Sequence, residues 1–152
     1  MKVKTDKGVV VNKLLYYIIK ADNLENALNK GLIEGIINQS EKEDYRKLLT
    51  AVINSKETKE WFEDKWEVKP ESDILTKDGK VLRPDRVMLK DDTAILIDYK
   101  TGKEEKDHGE QLNEYGEILM QMGYKKVEKY ILYINDYNDE ITITVNNMNG
   151  GK

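Results

Sequence analysis

Apolar residues in the first third of the chain recur at helical spacing. Between Val9 and Ile19, the residues Val10, Val11, Leu14, Leu15, Ile18 and Ile19 return every three or four positions, which predicts one helix with a single buried face. Asp6 and Gly8 offer its start signals. Asp22 is placed to cap a second helix in which Leu24, Ala27, Leu28, Leu32 and Ile36 share a face. A third follows the i, i+3, i+4, i+7, i+8 rule through Tyr45, Leu48, Leu49, Val52 and Ile53. Trp61, Phe62 and Trp66 then predict a helical turn that plugs the core rather than a base-stacking platform.

The period changes in the second half. From Trp66 to Leu75 apolar residues fall near alternate positions, and the stretch ends in Thr76 to Lys80, where Asp78-Gly79 signals a tight hairpin. Val81 to Leu89 is the expected partner strand, and Lys90, Asp91 and Asp92 form the next turn. Ala94 to Tyr99 opens with the unbroken run AILI, as in a central strand covered on both faces. After a polar loop from Thr101 to Asp107, the residues Leu112, Tyr115, Ile118, Leu119 and Met122 form a helical stripe closed by Gly123. Val127 to Ile134 and Ile141 to Val145 are two further strands around a hairpin at Asp136 to Asp139. The expected fold is α/β, one domain spanning 1–152, with a helix crossing over from a buried strand.

Composition narrows the chemistry. The chain has 152 residues, 39% hydrophobic and 36% charged, with a net charge of -4, so a polyanion would have to be met by a local patch or through a metal. The absence of cysteine excludes disulfides, thiolate metal sites and cysteine nucleophiles. A single histidine, His108, excludes multi-histidine centres; at the start of the last long helix it is expected to cap or hydrogen-bond. Carboxylates, lysines, amides and tyrosines remain, a set suited to Mg²⁺ or Mn²⁺. No apolar stretch reaches the length of a membrane span and no signal-type apolar core follows the N-terminus, so a cytoplasmic protein without a membrane partner is expected.

The informative stretch is RPDRVMLKDDTAILIDYKTG. An acid two residues before a lysine recurs elsewhere in this charged chain, at Glu57 and Lys59 or Glu63 and Lys65 for instance. Only Asp98 and Lys100 close an apolar strand whose expected neighbour carries a Pro-Asp, Pro84-Asp85. Alternation puts Asp98 and Lys100 on one side of the sheet, with Asp85 approaching from the next strand. Two carboxylates and an ammonium in that arrangement would suit metal-assisted phosphodiester hydrolysis. The alternative is a surface salt bridge in which Lys100 neutralises the aspartates.

RPDR, IDYKTG and the downstream QLNEY together resemble the RecB-type branch of the PD-(D/E)xK nuclease superfamily, the nuclease domain of UvrD-type bacterial helicase-nucleases. The resemblance covers nearly the whole chain and implies a restriction-endonuclease-like αβββαβ core with a mixed sheet flanked by helices. It further implies that Asp85 and Asp98 are metal ligands, that the Tyr99 carbonyl is another, and that Lys100 is the catalytic lysine. Gln111 and Tyr115 match the Q-x-x-x-Y motif and would position DNA or the loop around the metal. Glu71 is similar to a glutamate found in the family's first strand, a further metal group or else an exposed strand residue.

One position departs from the pattern. Where the family carries a metal-reaching histidine in its first helix, this chain has Asn12, a neutral and weaker donor. The resemblance implies a Mg²⁺- or Mn²⁺-dependent DNA nuclease, acting in repair or recombination on a single strand fed by a helicase domain or subunit. Asn12 keeps open a second reading, a catalytically weakened module that binds DNA or braces a helicase. Arg83, Arg86, Lys103 and Lys106 flank the expected site and are candidates for contacts to the nucleic-acid backbone.

Overall fold

The computed structural model describes residues 7–69, 73–138 and 140–149. Within them the chain divides into a helical unit, running to Asp64 and including Asn135–Ile143, and a sheet unit of Lys65–Ile134 taken up again from Thr144.

In the helical unit, α1 (Lys7–Tyr16) buries Val10, Val11, Leu14 and Leu15, the face that the spacing predicts. It stops short of Ile18 and Ile19. Tyr17 and Ile18 donate to the carbonyls only three residues back, tightening the last turn. Asn23 Oδ1 then accepts from the N–H of Ile19 at 3.1 Å and of Lys20 at 3.0 Å, drawing the chain into a 3-10 turn over Ala21–Asn23. Asp22 lies inside that turn and is not the expected cap; α2 (Leu24–Ile33) follows directly. Gly35 at φ +75° ends it, a left-handed conformation that glycine adopts without steric cost. Ile36 therefore falls beyond the helix, its N–H on the Gly31 carbonyl at 2.8 Å.

The third helix matches its pattern. Asn38 and Glu41 accept from each other's backbone N–H at 3.1 and 2.9 Å, a reciprocal cap. The chain then enters α3 (Lys42–Asn54), where Tyr45, Leu48, Leu49, Val52 and Ile53 are all buried against α1 and α2. Beyond it the Thr58 hydroxyl donates to the Val52 carbonyl, and the turn Lys59–Phe62 buries Trp61 and Phe62. Trp66 lies outside that turn, half-buried, with the Lys65 ammonium 5.3 Å from its ring centre.

The expected hairpin from Trp66 to Leu89 is divided in two. β1 (Glu67–Lys69) pairs with β4 (Arg86–Lys90), while β2 (Ile74–Leu75) and β3 (Val81–Leu82) form a separate ribbon. Pro84 lies at the break between β3 and β4 and has no N–H to give a ladder. β4 runs antiparallel to β5 (Thr93–Lys100); β5 runs parallel to β6 (Lys126–Tyr137), and β7 (Glu140–Asn147) lies beside β6. The crossover between the parallel strands contains α4 (Glu110–Gln121). Both last strands are longer than expected, leaving Asn138 in the turn at φ 51°; Asp139 lies outside the described residues. The observed class is the expected one, α/β with a mixed five-stranded sheet, and it is compatible with a restriction-endonuclease-like core. No described helix is long and apolar enough to cross a membrane.

The period of two along β5 decides what faces α4. Ala94 and Leu96 join Val87, Leu112, Tyr115, Leu119, Ile131 and Tyr133 in one core, and Asp98 and Lys100 continue the same face. Ile95, Ile97 and Tyr99 point the other way and are buried as well, which explains the unbroken apolar run. α4 ends at Gly123, φ +113°; Met122, expected in the stripe, lies past the last turn and is 67% exposed. Leu96 has no exposed surface, so Leu96→Ala is expected to lower stability by about 2–5 kcal/mol through lost burial and a cavity. Denaturant unfolding measures it, and a loss under about 1 kcal/mol would contradict this packing.

Candidate active site

Asp85 immediately precedes β4, and continuing the register from the Arg86–Ile97 pair sets it opposite Asp98. Each carboxylate is held by a backbone N–H of the facing strand segment. The Asp85 N–H donates to Asp98 Oδ1 at 2.9 Å, and the Tyr99 N–H donates to Asp85 Oδ2 at 2.7 Å. Gln111, in the first turn of α4, joins them: its Nε2 donates to Asp98 Oδ2 at 3.1 Å, and its Oε1 accepts from the Arg83 N–H at 2.6 Å. Only one orientation of the amide satisfies both partners, because the Arg83 N–H can only donate. The strand end, the loop before Pro84 and the start of α4 are thus tied at one point.

Burial sets the electrostatics. It pushes the Asp85 carboxyl up to about 7, and the neighbouring Asp98 charge adds to this, against the pull of the Tyr99 N–H and the Lys100 charge. Burial also raises Asp98, opposed by the Asp85 N–H, Lys100 and Gln111. Both oxygens of Asp98 accept hydrogen bonds, whereas among the described residues Asp85 accepts only through Oδ2. Oδ1 of Asp85 is therefore the oxygen best placed to hold a proton, as for a carboxylate pair in which one member stays neutral. Two facing carboxylates, Asp98 buried and Asp85 half-buried, with the Lys100 ammonium beside them are a donor set that fits a hard divalent cation.

The other expected site residues fall in different surroundings. Lys100 is half-buried on the face of Asp98, close enough for its charge to lower both carboxyls. The Tyr99 side chain lies on the opposite face, where burial pushes its hydroxyl up to about 12, partly countered by Arg86; its backbone is what reaches Asp85. Tyr115, one turn on from Gln111, is 3% exposed within the apolar core, so the helix face is polar at Gln111 and packed below it. Asn12 is half-buried on α1 in the helical unit, and Glu71 lies outside the described residues.

The expected basic patch needs correction. Arg86 is only 3% exposed and its Nε donates to Met88 Sδ at 3.3 Å, so it is not a backbone-contacting surface arginine. The signal was available: Arg86 alternates with Met88, opposite in phase to Val87. Arg83 is exposed and forked on Asp73, Nε to Oδ1 at 2.9 Å and the terminal nitrogen to Oδ2 at 2.7 Å. Lys103 is exposed, and the Lys106 side chain lies outside the described residues.

His108 hydrogen-bonds, as expected, its Nδ1 lying 2.7 Å from the Tyr133 hydroxyl. Sequence spacing alone gave no sign of what gathers around it. Glu105, Asp107 and His108 bring donor atoms within 4.8 Å of one another, from the 3-10 turn that leads into α4. The two acids are exposed and such gatherings are common on so charged a surface, so no ion is assigned there. Comparison with protein-family models and with characterised proteins gives no significant match.

Proposed function

We propose that this chain is a Mg²⁺- or Mn²⁺-dependent nuclease of the RecB-like PD-(D/E)xK kind that hydrolyses phosphodiester bonds in DNA. The observation that carries the reading is the cross-strand backbone anchoring of two carboxylates at a strand end, Asp98 buried and held by the Asp85 N–H, Asp85 half-buried and held by the Tyr99 N–H, with Lys100 on the same sheet face. Asp85 and Asp98 would hold the cation, with the Tyr99 carbonyl as the further ligand that the resemblance implies. When bound, the cation supplies Lewis-acid polarisation of a phosphoryl oxygen and lowers the pKa of water beside it.

The chain's own residues do the rest. Lys100 orients the attacking water and offsets charge building on the phosphoryl oxygens. Gln111 keeps Asp98 in its acceptor role and anchors the loop that carries Asp85. Tyr115 supports the helix under Gln111. The substrate is a single DNA strand delivered by a helicase domain or subunit, in a cytoplasmic setting.

Degradation of labelled single-stranded DNA by the purified protein tests this. Cutting is expected with Mg²⁺ or Mn²⁺ and not with EDTA, and Lys100→Met is expected to lower the rate by about 10²–10³-fold, the scale of losing one group that stabilises transition-state charge. Calorimetric Mn²⁺ affinity should survive that substitution. Activity in EDTA, or an undiminished Lys100→Met enzyme, would refute the assignment. DNA binding without cutting under any cation would favour the weakened module that Asn12 suggests.

A further inference from the structure

Asp73 and Arg83 form a two-point ion pair beside the candidate site, and nothing in the chemistry proposed above uses it. Arg83 Nε and its terminal nitrogen meet the two oxygens of Asp73 at 2.9 and 2.7 Å. Both side chains are open to solvent, 71% exposed for Arg83 and 42% for Asp73. The geometry is the planar fork that an arginine presents equally to a carboxylate or to two oxygens of a phosphate. Its position is fixed by another contact, since the Arg83 backbone N–H is held by Gln111 at 2.6 Å and Asp85 follows two residues later. The guanidinium therefore hangs from an anchored backbone at the edge of the carboxylate pair, with an internal carboxylate occupying its binding fork.

We infer that Asp73 and Arg83 are a latch on the nucleic-acid surface: a backbone phosphate of the strand takes the Arg83 fork, and Asp73 is the competitor it must displace. The inference rests on the nuclease reading and adds to it a residue that tunes affinity from outside the carboxylate pair. Solvent screening leaves an exposed ion pair weak enough to exchange with a phosphate. The exchange moves only side chains, because the Arg83 backbone stays on Gln111. Other arrangements of the same charges behave differently. If Asp73 only repels the strand as a nearby negative charge, its removal helps binding whatever occupies position 83.

Fluorescence anisotropy of a labelled oligothymidylate in EDTA, where the strand is not cut, separates these. Asp73→Ala is expected to tighten binding about two- to fivefold, the equivalent of one exposed ion pair. Arg83→Gln should weaken it and reduce the slope of log affinity against log salt by about 0.7, one phosphate contact on a single strand. Arg83→Lys should restore the salt slope and only part of the affinity, since it keeps the charge and loses the fork. In the Arg83→Gln background, Asp73→Ala should do nothing. Far-ultraviolet melting curves of each variant check that the fold is kept. Unchanged affinity on Asp73→Ala, or tightening that persists without Arg83, overturns the latch while cleavage in Mg²⁺ leaves the nuclease reading standing. No binding by either the wild type or Asp73→Ala, with no cleavage, overturns both.

Discussion

Asp85→Asn and Asp98→Asn are both expected to abolish cleavage, by at least about 10²–10³-fold, yet to part company in stability. The two amides meet different neighbours. At position 85 the carboxylate gives one oxygen to the Tyr99 N–H, so an asparagine can keep that bond and turn its NH₂ to where Asp85 would carry its proton. It imitates the neutral state that burial already favours. At position 98 both oxygens accept, one from the Asp85 N–H and one from Gln111 Nε2. An asparagine there sets an NH₂ against a donor on one side or the other. Gln111 cannot turn to relieve it, because its Oε1 is committed to the Arg83 N–H. Asp98→Asn should therefore be less stable than Asp85→Asn by about 1–3 kcal/mol, the cost of a buried donor left unsatisfied. Urea unfolding at neutral pH measures the gap. Equal stabilities, or the reverse order, would mean that the Arg83–Gln111–Asp98 chain is not what holds the pair.

Without a divalent cation, the wild type is expected to lose stability as pH rises from about 5 to 8. Burial and the Asp98 charge hold the Asp85 carboxyl at about 7, above its ordinary 3.8. A carboxyl with a raised folded pKa stabilises the fold most fully below the unfolded value, and that contribution disappears as pH climbs through the folded one. Each tenfold difference in acidity between the folded and unfolded carboxyl corresponds to about 1.4 kcal/mol, so the loss across the window reaches a few kcal/mol. Asp73 and Asp78, whose carboxyls are held low by hydrogen bonds from Arg83 and Thr76, act in the opposite sense and below this range. Thermal melts across the window in EDTA should fall for the wild type and fall much less for Asp85→Asn, in which only the raised Asp98 carboxyl remains. Mn²⁺ at the alkaline end should restore the lost stability by binding the folded state, and its affinity should rise with pH until about 7 and then level. A flat wild-type curve would place Asp85 in a wetter site than this.

Legibility in the sequence followed the range of the interactions involved. α3 could be read from its apolar face, because five apolar positions at helical spacing act locally. β5 was equally plain, since AILI closing in Asp98 and Lys100 states its own burial and its own polar end. Asp85 opposite Asp98 followed from Pro84-Asp85 lying in the next strand. Less was legible where two separate segments decide together. The divided hairpin depends on β4 taking β1 as its partner and leaving β3 to β2, a choice among pairings of similar local merit. Asp22 looked like a cap and is not one, because Asn23 reaches back to Ile19 and Lys20 first.

The sequence by itself determined the α/β class, the central strand, the helix after it and the two carboxylates that meet at the strand end. Those properties are written in hydrophobic period and residue type, which act over a few positions. Only the tertiary structure decided that Gln111 closes on Asp98 while Tyr115 sinks into the core, that Arg86 is buried while Arg83 is exposed and forked on Asp73, and that burial lifts Asp85 toward neutrality. Hydrogen-bond partners, ion-pair partners and desolvation depend on atoms far apart in the chain, and nothing in local spacing encodes which distant group arrives.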